Sequence, residues 1–203
     1  MASGDPSTGG RARGPRGLVQ AWAAVLVHPK RFFRERVVPG DQAPGLVFGV
    51  GVALLYLGVS LVAGTLRVPA ALPVVGGAGP LTTAFVFLAV GLLIAPATLH
   101  LLAALQTLLL MAFVRDRAGV SETVQVVAYA TAPCVAAGLP VPELRAGCCL
   151  YGAALLAVGV RDVHETTTRR AVAATVIPAA LLFGYGFGGF DAVLFLLRDW
   201  YII

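Results

Sequence analysis

The chain has 203 residues, of which 58% are hydrophobic and 12% charged, with a formal net charge of +5. Apolar residues and glycine together make up about two-thirds of it, against roughly 45–50% in soluble domains. Its 15 basic and 10 acidic side chains are too few to clothe a soluble fold, and a mean hydropathy of +0.86 is too high for disorder, which leaves an integral membrane protein.

Residues 1–17 are mostly Gly, Ser, Pro and Arg and read as a disordered basic tail. Arg11, Arg13 and Arg16 suit a solvated tail that sets topology, and no specific nucleic-acid partner is expected. Residues 18–38 read as an interfacial amphipathic segment. Leu18, Trp22 and Val25 share one helical face, and Phe32 and Phe33 dip between basic residues. The apolar stretch Leu18–Val27 has no small-residue cleavage site behind it, so it is not a removed signal peptide.

A helix needs about 20 apolar residues to cross the bilayer core. Gly45–Gly64 is such a run, the first span, 20 residues without a charge. Leu81–Val114 holds 34 residues without a formal charge. As one helix it would be about 51 Å long, and it reads as a single tilted span kinked at Pro96. Thr123–Pro142 is the third span. Leu144–Val160 is the fourth, short at 17 residues, with Glu143 and Arg145 able to snorkel. Ala171–Phe190 is the fifth, after which Ala192–Leu197 either continues the helix or lies at the interface. The runs lack the period-two alternation of barrel strands. The expected fold class is therefore all-α, a polytopic membrane bundle of five transmembrane helices occupying residues 45–197.

Charge then orients the bundle. With the N-terminus inside, segments 1–44, 115–122 and 161–170 carry twelve of the fifteen basic residues, while Arg67, Arg145 and Arg198 fall outside. That asymmetry predicts a multi-pass protein of the cell membrane, N-terminus cytoplasmic and C-terminus outside. Arg198, Asp199, Trp200 and Tyr201 read as an outer interfacial anchor.

Few residues carry chemistry. Cys134, Cys148 and Cys149 lack zinc spacing and read as small apolar packing residues. No paired-carboxylate motif, Ser-His-Asp arrangement or HExxH occurs, so no catalytic residue, metal or cofactor is expected. Gly45 and Gly49, and Gly184 and Gly188, have the spacing of small-residue faces where helices approach closely. His100 is the ionisable group deepest in a span. It is either a proton relay or substrate contact, or a neutral imidazole bonded to another helix, with Gln106, Gln125, Tyr129 and Thr131 as available partners. Pro96, Pro133 and Pro178 interrupt three runs, as happens at transporter sites and in membrane helices generally.

Three stretches together resemble the Yip1 domain family of five-span membrane proteins. They are His28-Pro29-Lys30-Arg31-Phe32-Phe33, then Glu122 to Pro133 ending in Ala128-Tyr129-Ala130-Thr131-Ala132-Pro133, then Val158-Gly159-Val160-Arg161-Asp162-Val163-His164 with Arg169-Arg170-Ala171. Leu99-His100-Leu101-Leu102-Ala103 is similar to the family's second span. The resemblance implies an all-helical bundle with a cytoplasmic N-terminus. It singles out His28, Pro29, Phe32, Phe33, His100, Tyr129, Pro133, Gly159, Arg161, Asp162, His164 and Arg170. Eukaryotic relatives work in vesicle trafficking and bind small GTPases, but the long cytoplasmic domain they carry is not present in this sequence. The expected function is a non-catalytic scaffold, adaptor or membrane organiser. Its partners would be membrane lipid, a protein docking on the loops Arg115-Asp116-Arg117 and Arg161–Glu165, or a second copy through self-association. The alternative is a small permease or channel subunit with a polar path around His100.

Overall fold

The computed structural model describes residues 14–66, 79–114 and 117–200. Residues 1–13 of the tail expected over 1–17, with Arg67, Arg115, Asp116 and Tyr201, lie outside the described residues, whereas Pro15–Gly17 at the end of that expected tail are helical. All regular structure among the described residues is helical, in the order α1 Pro15–Val27, α2 Pro29–Arg36, α3 Ala43–Val62, α4 Pro80–Ala89, α5 Ala95–Phe113, α6 Val120–Ala130, α7 Pro142–Val163, α8 Thr168–Ala179 and α9 Gly189–Asp199.

Among the described residues three helices are long and apolar enough to cross a membrane: α3, the α4–α5 unit Pro80–Phe113, and α7. Residues Thr168–Gly186 and Gly189–Asp199 supply a fourth if the pair, bent by 72°, is one crossing. Two of the expected irregularities are visible at prolines. α4 and α5 are joined by a π-helical turn, Val90–Ile94, immediately before Pro96, which keeps the 34-residue helix continuous despite the missing amide donor. In α8, Pro178 leaves the Ala174 carbonyl without its helical donor. Gln106, fully buried on α5, fills that gap with Nε2–H to the Ala174 oxygen at 3.0 Å.

The expected third span takes a different form. α6 stops at Ala130 and the chain continues as a 3₁₀ segment, Ala132–Gly138. Pro133 cannot donate to the helix, and the Cys134 amide bonds the Thr131 carbonyl instead, at 2.9 Å. Every residue from Glu122 to Cys134 is buried, because α6 lies among α3, α5 and α7 and makes the axis of the bundle. The open carbonyls of the 3₁₀ segment are met from outside it. Trp22 Nε1 donates to Ala132, Arg145 Nε to Ala137 and the Thr65 hydroxyl to Gly138, at 2.8, 2.8 and 2.9 Å. Close approach to this axis requires small residues: a Cβ on Gly45 would stand 2.9 Å from the Gln125 Cα, and one on Gly49 would stand 3.1 Å from the Ala128 Cβ. Gly188, by contrast, serves the bend before α9, with φ of +72°.

The segment expected to lie at the interface packs as a hairpin against the bundle. Leu18 shares a small cavity with Asp41 and Pro44 near the start of α3, and Tyr151 donates its hydroxyl to the Leu26 carbonyl at 2.5 Å. The chain turns at His28–Pro29, and α2 returns along α7 until Arg34 meets Asp162 at 3.3 Å. Val25, Phe32 and Phe33 are buried, so the amphipathic face meets protein rather than a separate membrane surface. Phe32 stands edge-on to Tyr129, ring centroids 4.8 Å apart.

Candidate functional site at the basic end of the bundle

α7 ends on a last helical bond, His164 N–H to the Val160 carbonyl, followed by the wide 6→1 bond of a Schellman-type cap, Thr166 N–H to the Arg161 carbonyl, both at 3.0 Å. The position that normally takes glycine in this cap is Glu165, held at φ of +46°. The cap turns the following loop back over the ends of α2 and α6. Together these elements enclose a cavity of about 720 Å³ lined by Phe33, Arg34, Arg161, Asp162, Glu165 and Thr166, with Glu122, Val37, Pro39, Ala118 and Val163 completing the walls.

Asp162 is the anchor of the cavity. Its side chain is only 2% exposed, yet it is fully engaged: Arg161 grips it with Nε and Nη2, each at 2.9 Å, and Arg34 reaches it from α2. A buried carboxylate without such partners would carry a desolvation cost of several kcal/mol. Phe33, behind the pair, lies against Gly159, where a Cβ would stand 2.9 Å from its ring and 2.7 Å from Val126. Val38, two residues past the end of α2, is fixed by Gln125, whose amide accepts from Val38 N–H at 3.2 Å and donates to the Val38 carbonyl at 2.7 Å.

His164 closes the inner side of this region. It is 1% exposed, with Nε2 3.4 Å from the Thr123 hydroxyl and Nδ1 without a partner among the described residues. Burial lowers its pKa from 6.5 to about 4, opposed by Glu122 and reinforced by Arg117, so the imidazole is neutral at physiological pH. Glu122 sits in the first turn of α6, where a carboxylate complements the helix dipole. The hydroxyls of Ser121 and Thr166 are also buried without partners among the described residues.

The residues singled out from sequence divide into three groups. Phe33, Gly159, Arg161, Asp162 and His164 come together here, with Phe32 and Tyr129 packed just below. His28 and Pro29 form the hairpin bend and Pro133 the break in the central element. His100 and Arg170 lie elsewhere. Arg170 is exposed on α8. His100 is exposed on the outer face of α5, its Nδ1 2.8 Å from the Pro96 carbonyl of its own helix. None of the four partners named for it from the sequence is therefore the one it uses. Arg34, Glu122, Gln125, Glu165 and Thr166 were not singled out as site positions. Glu122 and Gln125 belong to the second motif stretch and Glu165 to a loop expected to dock a partner, whereas Arg34 and Thr166 have only a location beside apolar runs, which solvated turns share.

Parts of the three motif stretches, at Phe33, Glu122 and Arg161–His164, thus meet at one end of the bundle. No curated protein and no solved structure matches the chain. The family profile of the Yip1 domain matches residues 23–190, a range that includes the hairpin turn, the central element and the capped end of α7. A multi-pass, all-helical protein with these motifs in this order, the chain belongs to the Yip1 domain family.

Proposed function

We propose that the protein is a non-catalytic membrane scaffold or adaptor that engages a protein partner or a second copy at the basic end of the bundle. In this reading that end and the N-terminus are cytoplasmic, as the twelve basic residues on alternate segments favour. The supporting observation is the convergence of α2, α6 and the end of α7 on one open cavity whose charges hold each other. Asp162 is bound between two arginines, and the adjacent imidazole stays neutral, an arrangement suited to recognition. A photo-crosslinking residue at position 34, in the native membrane, is expected to give a reproducible adduct that Asp162→Ala abolishes. The same residue at Leu101, exposed on α5, serves as control. No adduct from position 34 with Asp162 intact, an adduct that survives Asp162→Ala, or an equal one from 101 would sink the proposal.

The permease alternative has less support. His100 faces outward, and neither of the two cavities described among these residues includes it.

A further inference from the structure

The cavity at the basic end lies at the height where spans terminate. α7 ends at Val163 and α3 begins at Ala43, and the cavity is bounded by Val163 and by Pro39, just before α3. With helices of spanning length on either side, that is the level of lipid headgroups. Its walls carry both signs of charge: Arg34 and Arg161 against Glu122, Asp162 and Glu165. A volume of about 720 Å³ holds a small organic group comfortably.

We infer that this cavity binds a phosphate ester bearing a primary ammonium group, the chemistry shared by a phosphatidylethanolamine headgroup and free phosphoethanolamine. Arg34 supplies the anion contact. Among the described residues it spends one Nη2 on Asp162 and its side chain is 65% exposed, so most of its five donors remain open to a phosphate. Glu122 and Glu165 are the acceptors for an ammonium group, and the Thr166 hydroxyl, buried on the wall without a partner, is a third.

Two competing headgroup types fit less well. The lining has two cations and three carboxylates, so a headgroup carrying only negative charge meets net repulsion. A quaternary ammonium has no N–H to donate and is usually held by an aromatic cage. Phe33 is the single aromatic residue of the lining. The backbone adds an independent pointer: Glu165 occupies a left-handed position that glycine fills without strain, and such strain is retained where the side chain is used. This inference does not depend on the scaffold reading.

The test uses the full chain, delipidated in detergent and titrated calorimetrically with four probes: dihexanoyl phosphatidylethanolamine, dihexanoyl phosphatidylcholine, dihexanoyl phosphatidylglycerol and soluble phosphoethanolamine. The expected result is binding of at least one ethanolamine probe at least tenfold tighter than either of the other lipids. Arg34→Gln and Glu165→Gln, both at exposed positions, should each weaken it by about tenfold. Unchanged thermal unfolding of each variant checks that the fold is intact. Phosphoethanolamine binding as tightly as the lipid identifies a soluble ligand, and preference for the lipid identifies a bilayer one; either supports the site. Equal affinity for choline or glycerol headgroups, or full binding by both variants, would overturn it.

Discussion

The middle of α5 and the basic end of the bundle each hold a histidine, and they treat it in opposite ways. His100 lies midway along the longest apolar helix, yet its ring points outward and its Nδ1 turns back to the Pro96 carbonyl one turn away. His164 lies beyond the end of a span, where water is expected, yet it is 1% exposed and held neutral. Depth along a span and burial within the protein are separate coordinates. The polar interior of this protein is built at its end, where loops and helix termini fold over one another, and along the α6 axis, while much of the outer helical surface is left for lipid.

Changes at the basic end should therefore cost much more than changes at mid-α5. The largest effect is expected from Asp162→Ala. It strands the partly buried Arg161 guanidinium without its carboxylate, and should lower stability by about 3–5 kcal/mol in a thermal unfolding assay in detergent. A loss below about 1 kcal/mol would mean that the ion pair behaves as a surface pair and that this end is not a structural anchor.

Acid should act on the same region through His164. Its folded pKa lies below the unfolded value, so the unfolded state takes up the proton first. Stability is then full above pH 6.5 and falls as the pH drops from 6.5 towards 4, by about 3 kcal/mol in total. His164→Gln should remove this part of the pH dependence, measured as the difference in unfolding midpoint between pH 7 and pH 4. An identical pH dependence in the variant would show that other groups carry it.

Glu165→Gly separates fold from use. Glycine relieves the left-handed backbone, so stability should rise by about 1 kcal/mol, while a carboxylate is lost from the cavity wall. A variant less stable than the parent would imply that the Glu165 side chain holds the cap. The smallest effect is expected at the other histidine. His100→Leu on the outer face should change stability by less than about 0.5 kcal/mol and leave proton flux in liposomes unaltered. A flux change would restore the transport alternative and erase the contrast between the two regions.

Much of the architecture was legible in the sequence because hydropathy and charge report directly on the solvent around each stretch. The long runs at Gly45–Gly64 and Leu81–Val114 correspond to α3 and to the unbroken Pro80–Phe113 helix, with its irregular turn beside the proline. The order of the motifs pointed to the family. Residues 123–142 were harder, since a helix buried by protein on all sides and one facing lipid have the same apolar composition. Only the neighbours of α6 distinguish them, and its Pro133 sets where the α-helix gives way.

By itself the sequence determined a helical membrane protein, its apolar runs, its charge asymmetry and its family, since these follow from residue type and spacing along one chain. The tertiary structure decided that residues 15–36 fold back as a hairpin, that Arg34 meets Asp162 across 128 positions, and that His164 rather than His100 is the buried imidazole. Those outcomes depend on the rotation of each helix about its axis and on which ends meet. Neither is written in hydropathy when a helix is apolar on every face.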